Sequence, residues 1–205
     1  MFTLLSLLER GFHPTDKHGV TIPYSELNPR VYFQFTTEYG HELGTVDFRL
    51  LASEHPKLVE NFCKLCTGKK DPTSCTTNGK TFHYKGTPVH AICANQGLFV
   101  AGDVLYKNGC GGHAADAAVV VNEVPSSSPR LTPGTLCMQN CKPGGTEFDS
   151  RFFVIVDPSK VEKLNDGVVF GYAEKGLEVL EGVMNEGTAN GTPRTKIQIT
   201  DCGLY

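Results

Sequence analysis

The stretch 30-RVYFQFTTEYGHELGTVDFRL-50 decides the class of the fold, because apolar and polar residues alternate in two successive segments. The apolar positions are Val31, Phe33, Phe35, Val46, Phe48 and Leu50. Alternation with a period of two is typical of a β-strand that buries one face. The polar residues around Gly40 separate the two segments and indicate a turn. The stretch therefore predicts a β-hairpin at the start of a β-rich domain.

The segment after the hairpin changes from strand spacing to helical spacing. Its apolar positions are Leu58, Val59, Phe62, Leu65 and Cys66, which fall on one face of a helix. We expect Ser53 to cap this helix, Pro56 to lie in its first turn and Gly68 to end it. A second short helix is predicted over 177–184, where Leu177, Leu180, Val183 and Met184 keep the same period.

The remaining apolar runs predict further strands at regular intervals along the chain. These runs are Pro88 to Cys93, Gly97 to Val104, Gly134 to Gln139, Arg151 to Val156, Val168 to Tyr172 and Lys196 to Asp201. Many short, evenly spaced strands favour a closed antiparallel barrel, which leaves no exposed sheet edge. We therefore predict a mainly β fold, an eight-stranded antiparallel β-barrel capped by two α-helices. It would span residues 30–205, after a loop-rich N-terminal extension of residues 1–29.

Composition excludes several classes of function. The chain has 205 residues and a formal net charge of -3, which gives no reason to expect a nucleic-acid partner or an anionic membrane surface. The apolar start M-F-T-L-L-S-L-L lacks a basic flank and a cleavage site, so a secretory signal is the less favoured alternative. The same apolar stretch is too short to span a membrane. We expect a cytoplasmic protein.

The cysteine pattern favours reduced thiols over disulfides or a metal site. Eight cysteines follow no spacing of a small secreted disulfide framework. Cys63 and Cys66 form a C-x-x-C motif, but this motif lies inside the first predicted helix, whereas zinc ligands usually converge from turns. We expect no metal and no cofactor, and we interpret Cys93 and Cys137 as small apolar core residues.

Seven stretches between about Val31 and Gly203 together form a recognisable family pattern. The stretches are H-P-K-L-V-E-N-F-C-K-L-C-T-G, H-Y-K-G-T-P-V-H-A-I, A-G-D-V-L-Y-K-N-G-C-G-G, T-P-G-T-L-C-M-Q-N, S-R-F-F-V-I, D-G-V-V-F-G-Y and I-T-D-C-G. In sequence and order they resemble motifs of the cyclophilins, the peptidyl-prolyl isomerases that bind cyclosporin, and the N-terminal extension lies outside the match. The resemblance implies the family's β-barrel, a groove for proline-containing peptides and an isomerase as the family activity.

At the position of the family's catalytic arginine, however, this chain has Ala91. In the family, that guanidinium is thought to stabilise the twisted amide during rotation, which otherwise faces a barrier of about 18–20 kcal/mol. Loss of one preorganised donor costs a factor of about 10²–10³ in rate. The glutamine that orients the arginine becomes Val100 or Ala101, and Arg151 replaces another glutamine. We expect weak or absent activity, with partial rescue by Arg151 as the alternative.

The resemblance also implies a pocket for the prolyl ring. Its predicted residues are Leu98, Phe99, Met138, Gln139, Asn140, Phe153 and Leu164. On pattern alone, Met138 and Phe153 would be ordinary core residues. The family's pocket histidine is replaced by Gly167, and the chain contains no tryptophan, the residue whose indole binds cyclosporin in many members. We therefore expect weak or no cyclosporin binding.

A second resemblance concerns the segment L-C-T-G-K-K-D-P-T-S-C-T-T-N-G-K-T-F-H-Y-K-G, which is similar to the inserted loop of divergent-loop cyclophilins. In that subgroup two cysteines have been proposed as a redox pair, and they correspond here to Cys66 and Cys202. Cys75, inside the inserted loop, is a further candidate for a reactive thiol. A disulfide needs Cα atoms about 4.4–6.8 Å apart, which only a structure can show.

Three functional hypotheses remain open from the sequence. The first is a module that binds proline-containing peptides or proteins without efficient catalysis, since a pocket selective for one isomer of an X-Pro bond needs no catalyst. The second is an active isomerase for protein folding, with Arg151 in a catalytic role. The third is an interaction domain acting through the extension, which would cover the groove, pair with a barrel edge or serve as a docking tail. In each case we expect a monomer.

Overall fold

The computed structural model describes residues 28–68, 82–121, 129–164 and 166–205. The strands are β1 (Arg30–Thr37), β2 (Glu42–Leu50), β3 (Pro88–Cys93), β4 (Leu98–Ala101), β5 (Val120–Val121), β6 (Thr135–Asn140), β7 (Glu147–Ile155), β8 (Gly167–Lys175) and β9 (Ile197–Leu204). The helices are α1 (Pro56–Thr67) and α2 (Leu177–Asn185), and short 3₁₀ turns occur at Ala94–Gln96 and Pro158–Lys160.

The strands form an antiparallel sheet in the order β4-β3-β9-β1-β2-β8-β6-β7-β5. An additional pairing between β4 and β7 closes eight of these strands into a ring, and β5 is attached outside it. The predicted eight-stranded antiparallel barrel with two helices is therefore confirmed. Closure removes the unpaired edges that these eight strands would otherwise expose.

Alternation along each strand separates the interior of the barrel from its outer face. Inside, Phe33 stacks on Phe152 with ring centroids 5.5 Å apart, and Phe62 of α1 contacts both rings edge to face. Offset and edge-to-face aromatic pairs of this kind add to the free energy gained from apolar burial. The opening hairpin and the buried face of α1 thus form the core that the sequence predicts.

Two details of the helices differ from expectation. The N-cap residue of α1 is His55, which makes no side-chain capping hydrogen bond, so Ser53 is not the cap. The backbone N–H of Ser53 instead donates to Asn28 Oδ1. Gly68 ends the helix in the left-handed conformation, as predicted. In α2 the buried residues are Val179, Leu180 and Val183, whereas Leu177 is 40% exposed at the first position.

Residues 1–27 lie outside the described residues, so the role of the extension stays a prediction. Within the ranges that the structure describes, no helix combines the length and the apolar character needed to cross a membrane.

Candidate functional site

A row of directly paired residues crosses the outer face of the barrel. Ala91 of β3 lies opposite Val100 of β4, and Val100 lies opposite Phe153 of β7. Phe153 in turn pairs with Cys137 of β6, which pairs with Val169 of β8. Directly opposed residues in an antiparallel sheet point to the same face. The row therefore places the predicted catalytic position and the predicted pocket on one surface.

Phe153 forms the floor of a cavity of about 360 Å³ on this surface. The cavity is lined by Gln96, Leu98, Phe153, Lys160, Val161, Glu162, Lys163, Leu164 and Asp166. The structure thus brings together three of the predicted pocket residues, Leu98, Phe153 and Leu164. Their side chains belong to an apolar cluster on the outer face, separate from the core inside the barrel.

Two predicted pocket residues lie elsewhere. Phe99 is fully buried inside the barrel, where its ring contacts Phe35 with centroids 6.0 Å apart. Met138 is also fully buried in the interior core. Phe99 lies between Leu98 and Val100 of the outer cluster, and Met138 follows Cys137 of the same cluster. Because successive residues of a strand point to opposite faces, Phe99 and Met138 face the interior of the barrel. The predicted assignment of Phe99 and Met138 to the pocket is therefore wrong in this structure.

The alternation along β4 also shows which of two residues, Val100 or Ala101, occupies the position of the family's glutamine, a question that the sequence left open. Ala101 is fully buried in the interior core, whereas Val100 packs against the outer cluster. Val100 therefore occupies the outer position where the family pattern has glutamine. An aliphatic side chain there provides no hydrogen bond to orient a neighbouring cation.

Gln139 and Asn140 lie at the end of β6, where the register with β7 is irregular. Gln139 pairs with Gly167 of β8. The side-chain atoms Gln139 Oε1 and Asn140 Oδ1 are buried and have no hydrogen-bond partner among the described residues. The backbone N–H of Asn140 donates to the carbonyl oxygen of Asp166, a residue of the cavity lining, at 2.9 Å. Both residues therefore lie near the cavity, but the cavity lining does not include them.

Sequence reasoning missed most of the segment that covers the cavity between β7 and β8. Val161 packs on the outer cluster together with Leu164, and Lys160 donates to the carbonyl oxygen of Ala94 across the cavity mouth. The sequence did contain an indication of this packing, because Val161 and Leu164 are apolar residues three positions apart in an otherwise polar connection. Such residues in a connection indicate that it packs against the barrel.

Arg151 shares the outer face of β7 with Phe153, as predicted, but its guanidinium is already bonded. Nη2 of Arg151 lies 2.7 Å from Asp149 Oδ2, and Nε lies 3.0 Å from the same oxygen. The hydrogen bond to Asp149 raises the pKa of Arg151 above its ordinary value. The carboxylate is almost fully buried, with 5% of the side chain exposed, so the ion pair is shielded from solvent. Arg151 is thus a cation held against a buried anion.

The thiol of Cys141 lies next to this ion pair, 3.6 Å from Asp149 Oδ2. Burial and the negative charge of Asp149 raise the pKa of Cys141 to about 11. Cys141 is therefore a protonated thiol at neutral pH, and it is a poor nucleophile in this setting.

His90 precedes Ala91 and lies between the groove and the following loop. Its imidazole packs against Gly109 so closely that an added Cβ there would lie 2.6 Å from His90 Cδ2. Burial is the main cause that lowers the pKa of His90, the charge of Asp103 opposes the shift, and the charge of Arg151 adds to it. His90 is therefore neutral at neutral pH, and the field of the Arg151 guanidinium reaches it.

Asp103 organises the loop that supports His90. Its two carboxylate oxygens accept hydrogen bonds from the backbone N–H groups of Leu105, Tyr106, Asn108, Gly109 and Gly111, at 2.8–3.1 Å. Burial opposes ionisation, but the backbone hydrogen bonds outweigh it and lower the pKa of Asp103 to about 2. The carboxylate therefore serves as a structural anchor beside the groove.

The redox candidates Cys66 and Cys202 lie on α1 and β9, and neither lines the cavity. Cys202 Sγ lies 3.4 Å from the carbonyl oxygen of Cys66 and 3.4 Å from His83 Nε2. Cys66 and Cys202 are free thiols, and burial raises the pKa of both, that of Cys202 to about 12. The two residues are neighbours, but their pairing stays a prediction. Cys75 lies outside the described residues.

No group of three or more histidine, cysteine or acidic side chains is arranged to hold a metal ion in the ranges 28–68, 82–121, 129–164 and 166–205. Within the first range, the C-x-x-C cysteines lie on α1, with Cys66 fully buried in the core.

Comparison with known protein families gives one finding. The family model described as "Cyclophilin type peptidyl-prolyl cis-trans isomerase/CLD" matches residues 32–204. The match begins at the third residue of β1, ends with the last residue of β9 and includes every residue of the row that crosses the outer face.

Proposed function

The chain belongs to the cyclophilin-type peptidyl-prolyl isomerase family, and from that premise we propose that it binds proline-containing peptide segments with weak or absent isomerase activity. The observation that carries the proposal is the cavity above Phe153, whose walls include Leu98 and Leu164. The apolar part of this concave site suits the ring of a prolyl residue, and the polar residues around it can contact the peptide backbone. The apolar lining residues are Leu98, Phe153, Val161 and Leu164, and the polar ones are Gln96, Lys160, Glu162, Lys163 and Asp166. Binding by such a site needs no catalytic group.

The low activity follows from the row of residues beside this cavity. Ala91 and Val100 occupy its β3 and β4 positions and provide no hydrogen-bond donor from their side chains. Arg151, on the same face of β7, has two of its nitrogens committed to Asp149. A donor aimed at the twisted amide must lie about 2.6–3.2 Å from it. Moving Arg151 there would leave a buried carboxylate without its partner, which is costly.

The second candidate function is an active isomerase that uses Arg151 in place of the missing arginine. Its support is electrostatic, since the charge of Arg151 lowers the pKa of His90, the neighbour of Ala91. A second support is position, since Arg151 and Phe153 lie two residues apart on the outer face of β7. Under this hypothesis, Arg151→Ala removes the activity of the parent protein.

Peptide binding tests the main proposal directly. We expect an acetylated Ala-Ala-Pro-Ala peptide to bind the full chain, as followed by NMR titration, and Phe153→Ala to weaken that binding at least several-fold. Tyr39→Ala is the control, because Tyr39 is an aromatic residue with 84% exposure in the β1–β2 turn, away from the cavity. No binding by the parent, or equal losses in both variants, would overturn the proposal.

We further propose the cellular setting and the remaining partners. The seven cysteines in the described ranges are free, and three of them are buried, which suits a reducing compartment such as the cytoplasm. A role in protein folding, or as a chaperone for proline-containing proteins, follows from the family. The absence of tryptophan from the sequence supports weak or no cyclosporin binding. A monomer is proposed because the ring of strands leaves no long unpaired edge for a second copy.

A further inference from the structure

Asp149, Arg151 and Phe153 lie at alternate positions of β7 and therefore share the outer face of that strand. The residues between them, Ser150 and Phe152, are fully buried, as this alternation requires. Alternate Cα atoms of a strand are about 6.4–6.8 Å apart, given a rise of about 3.2–3.4 Å per residue. A peptide that places its prolyl ring over Phe153 and continues along β7 therefore passes the side chain of Arg151.

The guanidinium of Arg151 is bonded to Asp149 along one edge only. The donors on that edge are Nε and Nη2, which lie 3.0 and 2.7 Å from Asp149 Oδ2. Among the described residues, no oxygen atom accepts a hydrogen bond from Nη1 of Arg151. A guanidinium carries five N–H donors in a planar fork, so the edge formed by Nη1 and Nη2 can bind a second carboxylate while the ion pair stays intact.

Asp149 holds this cation from the inner side. Its Oδ1 also accepts the backbone N–H of Arg151 at 2.7 Å, and the carboxylate packs so closely on Gly112 that an added Cβ there would overlap it. The side chain of Asp149 is 5% exposed, whereas that of Arg151 is 19% exposed. More of the cation than of the anion therefore reaches the surface. The guanidinium is also ordered before a ligand binds, which lowers the entropic cost of binding.

The other charged residues around the groove favour neither sign of ligand. The cavity lining contains two lysines and two acidic residues, whose formal charges cancel: Lys160, Glu162, Lys163 and Asp166. Asp103 is fully buried and its carboxylate accepts backbone N–H groups of its own loop. Burial lowers the pKa of His90, so that its imidazole is neutral at neutral pH. Arg151 is therefore the group that gives the outer face of β7 a positive charge.

We propose that Arg151 binds a second residue of the peptide, so that the groove prefers proline-containing segments with an acidic side chain two residues from the proline. The spacing follows because an extended peptide has the same rise per residue as β7. The inference rests on the proposed function, because it concerns the same groove. Partly exposed ion pairs contribute modestly, so we expect a preference of about fivefold, which corresponds to about 1 kcal/mol.

The test compares two pairs of acetylated and amidated peptides by NMR titration of the full chain. The first pair, Glu-Ala-Pro-Ala and Gln-Ala-Pro-Ala, differs only in the charge of the residue two positions before the proline. The second pair, Ala-Ala-Pro-Ala-Glu and Ala-Ala-Pro-Ala-Gln, places the same difference two positions after it. At neutral pH and low salt, we expect the glutamate peptide of at least one pair to bind about fivefold more tightly. The preference should shrink in about 0.5 M sodium chloride, because salt screens exposed charges.

Variants then assign the preference to Arg151. Arg151→Gln removes the cation and is expected to make the two peptides of each pair bind equally. Because this change leaves a buried carboxylate unpaired, the double variant Asp149→Asn/Arg151→Gln is measured as well, since it replaces the ion pair with two neutral amides. Arg49→Gln is the matched control, because Arg49 lies on β2 and forms its ion pair with Glu174, so the net charge changes equally outside the groove.

Each outcome has a distinct meaning. Equal binding of the glutamate and glutamine peptides in both pairs overturns this inference and leaves the proposed function standing. Failure of the parent to bind any of the four peptides overturns the proposed function itself. A preference that persists in the folded double variant, or that Arg49→Gln removes to the same extent, overturns the role of Arg151. If circular dichroism shows that neither Arg151 variant folds, the two pairs of peptides on the parent still decide whether the groove prefers an acidic residue.

Discussion

Replacing Ala91 with arginine is expected to raise the isomerase activity of this domain. Ala91 and Phe153 are two strands apart in a row of paired residues, which places their Cα atoms about 9–10 Å from each other. An extended arginine carries its guanidinium about 6 Å from Cα, given single bonds of about 1.5 Å. A peptide held above Phe153 would therefore lie within reach of the new side chain.

The size of the effect follows from the chemistry of amide rotation. One preorganised hydrogen-bond donor is worth a factor of about 10²–10³ in rate, out of a barrier of about 18–20 kcal/mol. Asp149 does not compete for the new cation, since both of its carboxylate oxygens already accept hydrogen bonds from Arg151. Val100 supplies no polar group to orient the guanidinium, so we expect the lower end of that range.

A protease-coupled assay on an X-Pro tetrapeptide measures the change. Ala91→Arg is expected to accelerate isomerisation about 10²-fold over the parent. Ala91→Lys is the control for charge alone, because an ammonium group lacks the planar fork of arginine, and it should recover less activity. Two results would refute the reasoning: a parent protein as active as the arginine variant, or an arginine variant that binds the peptide but gains no rate.

Three further predictions concern the residues around the groove and the thiols. Arg151→Ala should leave the isomerisation rate per folded molecule within about twofold of the parent, because its guanidinium is held by Asp149. The change leaves a buried carboxylate without its partner, so the folded fraction of the variant is measured by circular dichroism, and a loss of activity in the folded variant would instead support the enzyme hypothesis. Asp103→Asn should lower the free energy of unfolding by about 1–2 kcal/mol at pH 7, as measured in urea. The pKa of Asp103 is lowered to about 2 in the folded state, so this difference should be present above about pH 4 and vanish as the pH falls towards 2. A disulfide between Cys66 and Cys202 should be detected by mass spectrometry after mild oxidation. It should form more slowly than the exposed Cys110 is alkylated, because burial raises the pKa of Cys66 and Cys202. Complete absence of the disulfide would rule out the redox pair.

The fold was predictable because period-two alternation and helical spacing report directly on burial. Val31, Phe33 and Phe35 are all fully buried, as the pattern in the first strand requires. The two-residue strand β5 had no such signal, because its pairing to β7 is a tertiary feature. Ser53 was a plausible helix cap by residue type, but the helix begins at Pro56, so the N-cap position falls on His55.

The candidate site was only partly predictable, because alternation does not say which face is the outside. In β4 the pattern groups Leu98 with Val100 and separates them from Phe99, yet an extra residue between His90 and Asp103 obscures the match to the family motif. The pairing of Val100 with both Ala91 and Phe153 decides the orientation. Val161 was missed because two apolar residues three positions apart are too short a pattern to define a helix or a strand, although they indicate packing against the barrel.

Because the ring of strands is closed, hydrogen exchange of the β4 amides can report ligand binding. Strand β4 is bonded to β3 on one side and to β7 on the other. Amide protons in a strand enclosed on both sides exchange with deuterium mainly through global opening of the domain. A ligand that binds only the folded state raises the free energy of global opening by RT ln(1 + [L]/Kd), and the exchange becomes slower in proportion to 1 + [L]/Kd. The exchange rate at Val100 would therefore rank peptides for this groove without labels or a coupled enzyme.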